Sequence, residues 1–97
     1  MLLAKVKGTV VSTKKADAIR GTKYLLVQVC DQREKLRKQF IVALDLVGAG
    51  VGEVVIIAQG SSARQTKTTF EKPIDAVVAG IVDLIEENGT VTYRKEK

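Results

Sequence analysis

The sequence predicts an all-β protein that folds as one small closed β-barrel, with residues 1–97 forming a single domain. The first observation is composition: 45% of the residues are hydrophobic but only 4% are aromatic, so Val, Ile, Leu and Ala dominate, which suits a compact β structure. The second is a series of short apolar runs separated by turn residues at regular spacing. The third is that the chain favours just one short helical turn. Together these features are typical of small barrels.

The first two strands are predicted from alternating and apolar runs. Residues 2–13 alternate apolar and polar side chains, and Gly8 interrupts them, which is consistent with a bulge or a sharp bend at a barrel corner. Residues 12–23 are polar and contain Gly21, so they are expected to form a loop. Residues 24–30 are an apolar run that forms the second strand.

The next two strands flank a glycine-rich loop. Residues 31–38 are a charged connection, residues 40–46 are expected to form the third strand and residues 53–59 the fourth. Between these two strands Gly48, Gly50 and Gly52 alternate, which permits positive φ and close approach of another backbone.

The last third of the chain contains the short helix and a hairpin. Residues 62–68 are expected to form a short helix capped by Ser61 or Ser62, and Pro73 prevents a long one. Residues 74–87 fit helical spacing but are rich in β-branched side chains. The pair Asn88-Gly89, followed by the strand-like residues 90–93, is typical of a type I′ hairpin turn. A strand should therefore precede the turn, at least over residues 81–87.

No catalytic, cofactor or metal site is predicted. The glycine alternation precedes a strand, whereas dinucleotide binding needs a helix N-terminus after the glycines. The chain has no histidine to serve as a base for its serines. Its one cysteine, Cys30, can form neither an internal disulfide nor a zinc cluster, and is expected to be a buried thiol in a reducing compartment.

Membrane insertion and nucleic-acid binding are also disfavoured. The apolar start is interrupted by Lys5 and Lys7, too early for a signal sequence or a membrane span. The formal net charge is +5, but the basic residues are scattered, and the four aromatic residues make no stacking ladder. A barrel that binds single-stranded nucleic acid remains the alternative function, because the fold class and the charge allow it.

Three segments together resemble a known family. They are Val42-Ala43-Leu44-Asp45, then Gly48-Ala49-Gly50-Val51-Gly52-Glu53, and finally Gly60-Ser61-Ser62-Ala63-Arg64. In this combination the chain resembles the EutN/CcmL proteins, the pentameric vertex proteins of bacterial microcompartment shells such as the carboxysome. Further similarity lies in residues 8–14, 25–28, 73–76 and 80–83, but not in the basic residues 32–39 or after Glu86.

The resemblance implies an OB-like barrel of about five strands with one short helix and a C-terminal hairpin. The core would span about residues 1–86, with the hairpin and tail in 81–97. It further implies a homopentamer, with hexameric and pseudohexameric shell proteins as partners, located in the shell in the bacterial cytoplasm. The expected role is structural, without enzymatic activity, cofactor, membrane or nucleic acid.

Two groups of residues are candidates for assembly. Gly60, Ser61, Ser62, Ala63 and Arg64 are expected near a subunit boundary, where Arg64 could bond a neighbour; the alternative is that Arg64 covers the end of its own barrel.

Gly48, Ala49, Gly50, Val51, Gly52 and Glu53 are expected near the five-fold axis, because small residues allow five loops to crowd there. The glycines could instead merely connect two strands. Five copies of Glu53 would form a ring that favours cations, unless Glu53 points into the barrel wall or pairs with a lysine. Basic side chains at Lys14, Lys15 and residues 33–38 could meet the hexamers or serve solubility alone.

Overall fold

A computed structural model of the chain describes residues 1–11, 23–60 and 75–96. Within them the backbone forms strands and their connections, with these bounds: β1 Leu2–Val10, β2 Tyr24–Cys30, β3 Leu36–Asp45, β4 Val54–Gln59, β5 Ala76–Ile81, β6 Leu84–Glu87 and β7 Thr90–Arg94. No helix in these parts of the chain is long and apolar enough to span a membrane.

Five of the strands close into a barrel in the order β1-β2-β3-β5-β4, and β6 and β7 pair as a separate two-stranded sheet. Neighbouring strands in the barrel are antiparallel except β3 and β5, which run parallel with Leu44 opposite Val77 and Asp45 opposite Val78. The predicted all-β class, with a closed barrel of five strands and an appended hairpin, is confirmed.

The barrel interior is filled by small and β-branched side chains. Alternate residues of each strand point inward, and nearly all the buried ones are aliphatic: Ala4, Val6, Leu25, Val27, Ala43, Val55, Ile57 and Val78. A barrel of five strands has a narrow interior, and large aromatic side chains would overfill it. The composition that predicted a β protein therefore also matches the size of this barrel.

The β6–β7 hairpin packs on the outside of the barrel. Tyr93 and Val82 are buried in an outer cluster with Cys30 and Val54. The Thr92 hydroxyl donates a hydrogen bond of 2.7 Å to the backbone carbonyl of Gln32, in the connection between β2 and β3. The hairpin thus covers part of the outer face of β1 and β4 and is tied to a neighbouring turn.

Local features of the sequence were predicted well. The bounds of β2 agree with the prediction, and the register of β1 against β2 shifts between Val6 and Gly8, which confirms the bulge. Asn88 and Gly89 have φ of 53° and 81°. A type I′ turn requires positive φ at both central residues, so the hairpin turn is confirmed too.

Two boundaries differ from the prediction. β3 begins at Leu36 and not at residue 40, because Leu36 already pairs with Cys30. Residues 81–87 do not form one strand: β5 ends at Ile81 and β6 begins at Leu84. The break occurs where the Val82 amide bonds the Val54 carbonyl at 2.8 Å, as the chain leaves the barrel.

The other differences concern the ends of β1, β3 and β4. β3 ends at Asp45 and β4 begins at Val54, each one residue inside the predicted strand, which is the usual scatter of strand ends. The first strand was predicted to reach residue 13, but β1 ends at Val10, where its pairing with β2 ends at Tyr24, and Val11 lies outside the strand. Residues 12 and 13 and the helix predicted over 62–68 lie outside the described residues.

Candidate assembly site

The glycine loop that joins β3 to β4 is organised by one buried carboxylate. Asp45 Oδ1 accepts hydrogen bonds from the backbone amides of Val47, Gly48 and Ala49, at 3.1, 3.0 and 3.3 Å. The Asp45 side chain is only 2% exposed, and Lys23 Nζ lies 4.0 Å from its other oxygen. Since buried polar groups are costly when unpaired, this carboxylate stabilises the loop in one shape.

The role of Asp45 was not predicted, although Asp45 was part of the motif that carried the family resemblance. A local signal for it exists. An aspartate at the end of a strand, followed closely by glycine, is typical of a turn in which the side chain bonds the amides that come next.

The rest of the loop is fixed by the core and by β1. Ala49 is buried in the main core cluster, whereas Val51 at the tip of the loop is exposed. The Gly52 amide donates to the backbone carbonyl of Val6 at 2.8 Å, and the Val6 amide donates to the backbone carbonyl of Glu53 at 2.9 Å. The loop therefore lies alongside β1 as well as between β3 and β4.

Two of the three alternating glycines use the conformational freedom that was expected of them. Gly48 and Gly52 have φ of 74° and 92°, while Gly50 does not have a positive φ. In the left-handed region a residue with a Cβ is strained, so glycine is required by the backbone at Gly48 and Gly52.

Glu53 is bonded within its own chain. Its Oε1 accepts the Gly50 amide at 2.6 Å, and its Oε2 lies 2.5 Å from Lys95 Nζ. The hydrogen bond from Lys95, together with that from the Gly50 amide, lowers the pKa of Glu53, and the same contact raises the pKa of Lys95. Of the alternatives for Glu53, pairing with a lysine is the one observed in the single chain.

The second predicted group is described only at its first residue. Gly60 has a positive φ of 61°, and its amide donates to the carbonyl of Asp75 at 2.8 Å, which joins the end of β4 to the start of β5. Ser61, Ser62, Ala63 and Arg64 lie outside the described parts of the chain. Their placement at a subunit boundary stays a prediction.

The basic stretch forms a tight turn between β2 and β3. Asp31 Oδ1 accepts hydrogen bonds from the backbone amides of Arg33 and Lys35 at 2.8 and 2.9 Å. These two hydrogen bonds lower the pKa of Asp31, and the one from Lys35 has the larger effect. Glu34 has a positive φ of 68° and pairs with Lys5 Nζ at 3.0 Å. Asp31 Oδ2 also lies 3.9 Å from Arg37 Nη2, so part of the positive charge of the stretch is neutralised locally.

The described residues hold no cluster of three or more His, Cys, Asp or Glu side chains that could bind a metal ion. Cys30 is buried in the outer cluster beneath the hairpin, and burial is the main factor that raises the pKa of its thiol. A thiol in this setting is mostly protonated and poorly reactive. Its position is therefore that of a packing residue.

Residues 1–83 match the model of a protein family described as ethanolamine utilisation protein EutN/carboxysome. The chain is 42% identical over 97 residues to the carboxysome shell vertex protein CcmL of Synechococcus elongatus, covering 100% of this chain and 98% of the relative.

Solved structures have a similar fold over most of the chain. The structure of CcmL from Nostoc sp. PCC 7120 has a TM-score of 0.92 and 45% identity, covering 98% of this chain and 100% of the other. The GrpN pentameric microcompartment shell protein from Rhodospirillum rubrum has a TM-score of 0.81 and 47% identity, covering 90% and 99%.

Proposed function

The chain belongs to the EutN/CcmL family, and from this premise we propose that it is a structural protein that assembles as a pentamer and closes the vertices of a bacterial microcompartment shell. The observation that supports this most is the extent of the similarity. The similarity to the pentameric relative covers 90% of this chain and 99% of that relative, at 47% identity.

A pentamer has a geometric purpose in a shell. A flat layer of hexagonal tiles cannot close into a polyhedron unless pentagons occupy its corners. A ring of five subunits forms from head-to-tail contacts in which one patch of each subunit binds a different patch of the next. A domain of 97 residues has a modest core, so burial at such contacts also adds to its stability.

The alternative of single-strand nucleic-acid binding is not favoured. Such barrels use several exposed aromatic side chains on which successive bases stack. Within residues 1–11, 23–60 and 75–96 the one exposed large aromatic is Phe40, whereas Tyr93 is buried under the hairpin and Tyr24 is half-buried. Without such aromatic side chains, the barrel fold and the positive net charge alone do not identify a surface that binds nucleic acid.

The partners follow from the vertex role. We propose that the pentamer contacts hexameric and pseudohexameric shell proteins along its flanks, in a shell within the bacterial cytoplasm. The exposed basic side chains of Arg33, Lys35, Arg37 and Lys38 would support such docking.

Two finer placements remain part of the proposal. The glycine loop would lie near the five-fold axis, and Gly60 with residues 61–64 would lie near the subunit boundary. If the loop does line an opening, each Glu53 would arrive together with its own Lys95, so the ring would be far less negative than five free carboxylates.

The function is tested by native mass spectrometry of the purified chain, followed by electron microscopy of shells produced with and without it. We expect a discrete pentamer, and shells that show open corners when the chain is omitted and closed corners when it is present. A monomer that shifts a single-stranded oligonucleotide on a gel would support the alternative instead. Shells that close equally well without the chain would contradict the vertex role.

The finer placements need a structure of the pentamer and one variant. Gly50 at the outer rim, far from the axis, would refute the axis placement and leave the vertex function intact. Arg64→Ala is expected to weaken the pentamer, because Arg is enriched at interfaces where it bonds a neighbour. Sedimentation that shows an unchanged pentamer, with an unchanged melting temperature, would remove Arg64 from the boundary.

A further inference from the structure

The glycine loop between β3 and β4 is held in two parts by two different carboxylates. Asp45 is buried and accepts the amides of residues 47–49, which fixes the first part. We define residues 50–53 as the loop tip. There the Glu53 carboxylate accepts the Gly50 amide at 2.6 Å, in an exposed position. Because water competes for an exposed amide, the tip keeps its shape only as well as Glu53 is held in place.

Glu53 is oriented by a side chain from the far end of the chain. Its second oxygen, Oε2, lies 2.5 Å from Lys95 Nζ, just beyond β7. The carboxylate thus bridges the ammonium group of Lys95 and the amide of Gly50. Hydrogen bonds between charged groups are strong and directional, so a contact that fixes one oxygen also fixes the direction of the other. Lys95 therefore favours the orientation in which Glu53 reaches Gly50.

The position of Lys95 depends on the hairpin that carries it. We define residues 82–96 as the C-terminal arm. The Lys95 amide donates to the backbone carbonyl of Asp83 at 2.8 Å and closes the base of the hairpin. Tyr93 is buried in the outer cluster, and the Thr92 hydroxyl donates to the backbone carbonyl of Gln32 at 2.7 Å. The ammonium group of Lys95 is consequently placed by the docking of the whole arm.

The C-terminal arm is held less firmly than the barrel strands. Of residues 82–96, only Val82 and Tyr93 are buried. A two-stranded hairpin is at best marginally stable by itself, and elements with few buried apolar contacts open before the core of a protein does. The five other strands are joined to neighbours on both sides in a closed barrel. The arm is therefore the part of this fold that can be released while the barrel stays folded.

The arm and the loop tip face each other across a cleft. The cleft has a volume of about 420 Å³ and is lined by residues 51–53 of the loop tip, by residues 93–96 of the arm and by Glu34. The contact between Glu53 and Lys95 spans from one side to the other. A side-chain bridge across an open cleft can form and break without repacking of the barrel interior.

We propose that the C-terminal arm acts as a strap on the glycine loop. When the arm is docked, Lys95 holds Glu53 against the Gly50 amide and the loop tip is ordered. When the arm is released, Glu53 loses its cation, the bond to Gly50 weakens and the tip opens. Lys95 is a positioning residue in this device, because it acts on Gly50 through Glu53.

The strap connects two surfaces of the molecule energetically. Coupling between sites is reciprocal, so a partner that holds the arm in its docked position also orders the loop tip, and a partner that fixes the tip favours the docked arm. The connecting contacts lie within one chain. The coupling is therefore independent of the vertex role, and its failure would leave that role untouched.

The first test removes the charge of the strap in the full chain. Amide exchange with solvent, measured by NMR on protein labelled at glycine, follows Gly48, Gly50 and Gly52 together. Lys95→Met should make exchange at Gly50 about two- to fivefold faster, the range expected for a surface ion pair, with Gly48 and Gly52 unchanged. Lys95→Arg should restore the wild-type rate. Arg94→Met, at the neighbouring exposed cation, is the matched control and should have no effect.

The second test releases the arm without touching the ion pair. Tyr93→Ala removes its buried anchor, and Thr92→Val removes the bond to Gln32 while keeping the side-chain shape. Both should accelerate exchange at Gly50 although neither side chain bonds the loop. If Tyr93→Ala also accelerates Gly48, the barrel itself has loosened, and Thr92→Val alone decides the outcome.

A double variant separates a strap from two unrelated effects. If the arm acts through Lys95, combining Lys95→Met with Thr92→Val should accelerate exchange at Gly50 by less than the product of the two single effects. Effects that multiply fully would overturn the strap. An unchanged rate at Gly50 in Lys95→Met would overturn it as well, because Glu53 would then hold the amide without its cation.

Discussion

The connection between β2 and β3 and the connection between β3 and β4 are built alike but are buried differently. In each, one aspartate oxygen accepts backbone amides of the residues that follow: Asp31 from Arg33 and Lys35, and Asp45 from Val47, Gly48 and Ala49. The side chain of Asp45 is 2% exposed, whereas that of Asp31 is 19% exposed.

The difference shows how burial decides the value of the same hydrogen bonds. When an exposed acceptor is removed, water can bond the amides that it leaves. When a buried acceptor is removed, the amides remain unpaired and the full desolvation penalty is felt. The glycine loop should therefore depend on Asp45 far more than the basic turn depends on Asp31.

The largest effect is expected for Asp45→Ala. It removes the acceptor of three amides in a buried site, and we expect it to lower the free energy of unfolding by about 2–4 kcal/mol. Urea denaturation at a fixed protein concentration measures this, because oligomerisation makes stability depend on concentration. Asp45→Asn keeps an acceptor oxygen and is expected to cost clearly less. Equal losses for the two variants would show that the charge, and not the hydrogen bonds, holds the loop.

Gly48→Ala tests whether the same loop also needs its backbone conformation. A Cβ at Gly48 would meet no atom within 4 Å, so the cost is that of a positive φ alone, about 1 kcal/mol. Gly50→Ala is the matched control: Gly50 has no positive φ, and its Cβ would make only an ordinary contact with Glu53 at 3.5 Å. Denaturation should rank Gly48→Ala as the more harmful. The reverse order would contradict the backbone argument.

Asp31→Ala is expected to destabilise the chain by less than Asp45→Ala, since its turn is open to solvent. The hydrogen bonds from the backbone amides lower the pKa of Asp31. The contribution of Asp31 to the free energy of unfolding is therefore present above its ordinary pKa of 3.8 and disappears as the pH falls through the lower pKa of the folded chain. The free energies of unfolding of the wild type and of Asp31→Asn, measured by denaturation, should therefore differ at neutral pH and become equal in acid. A difference that persists in acid would point to packing instead of charge.

The smallest effect is expected for the pair of Glu53 and Lys95, which lies at the surface. The pKa of Glu53 is lowered, so the contribution of Glu53 to the free energy of unfolding is lost as the pH falls through its pKa in the folded chain, which lies below the ordinary 4.5. The pKa of Lys95 is raised, so the contribution of Lys95 to the free energy of unfolding is present below the ordinary pKa of 10.5 and is lost as the pH rises through its pKa in the folded chain.

Stability of the wild type relative to Lys95→Ala should then be constant between about pH 5 and pH 10 and decline outside this range. Lys95→Arg, which keeps the charge, is the control. Added salt should reduce the difference between the wild type and Lys95→Ala, because salt screens exposed charges. A difference that is insensitive to both pH and salt would mean that the tail stabilises the loop by packing.

The features that sequence alone predicted are those decided by neighbouring residues. An apolar run between polar residues predicted the bounds of β2, Gly8 marked the bulge, and Asn88-Gly89 marked the hairpin turn. Turn chemistry and the two-residue period of a strand act over a few residues, so they can be recognised in the chain itself. The family resemblance then identified the fold and the vertex role.

Contacts between distant residues were decided by the tertiary structure. β3 starts at Leu36 because β2 supplies Cys30 as a partner, although the local sequence there is charged. Glu53 is neutralised by Lys95 only because the hairpin folds back over β1 and β4. Amide groups pair wherever barrel closure brings a partner, and a carboxylate binds whichever cation the fold places nearest. Sequence by itself therefore determined which residues could form strands and turns, and barrel closure decided where the strands end and which charges meet.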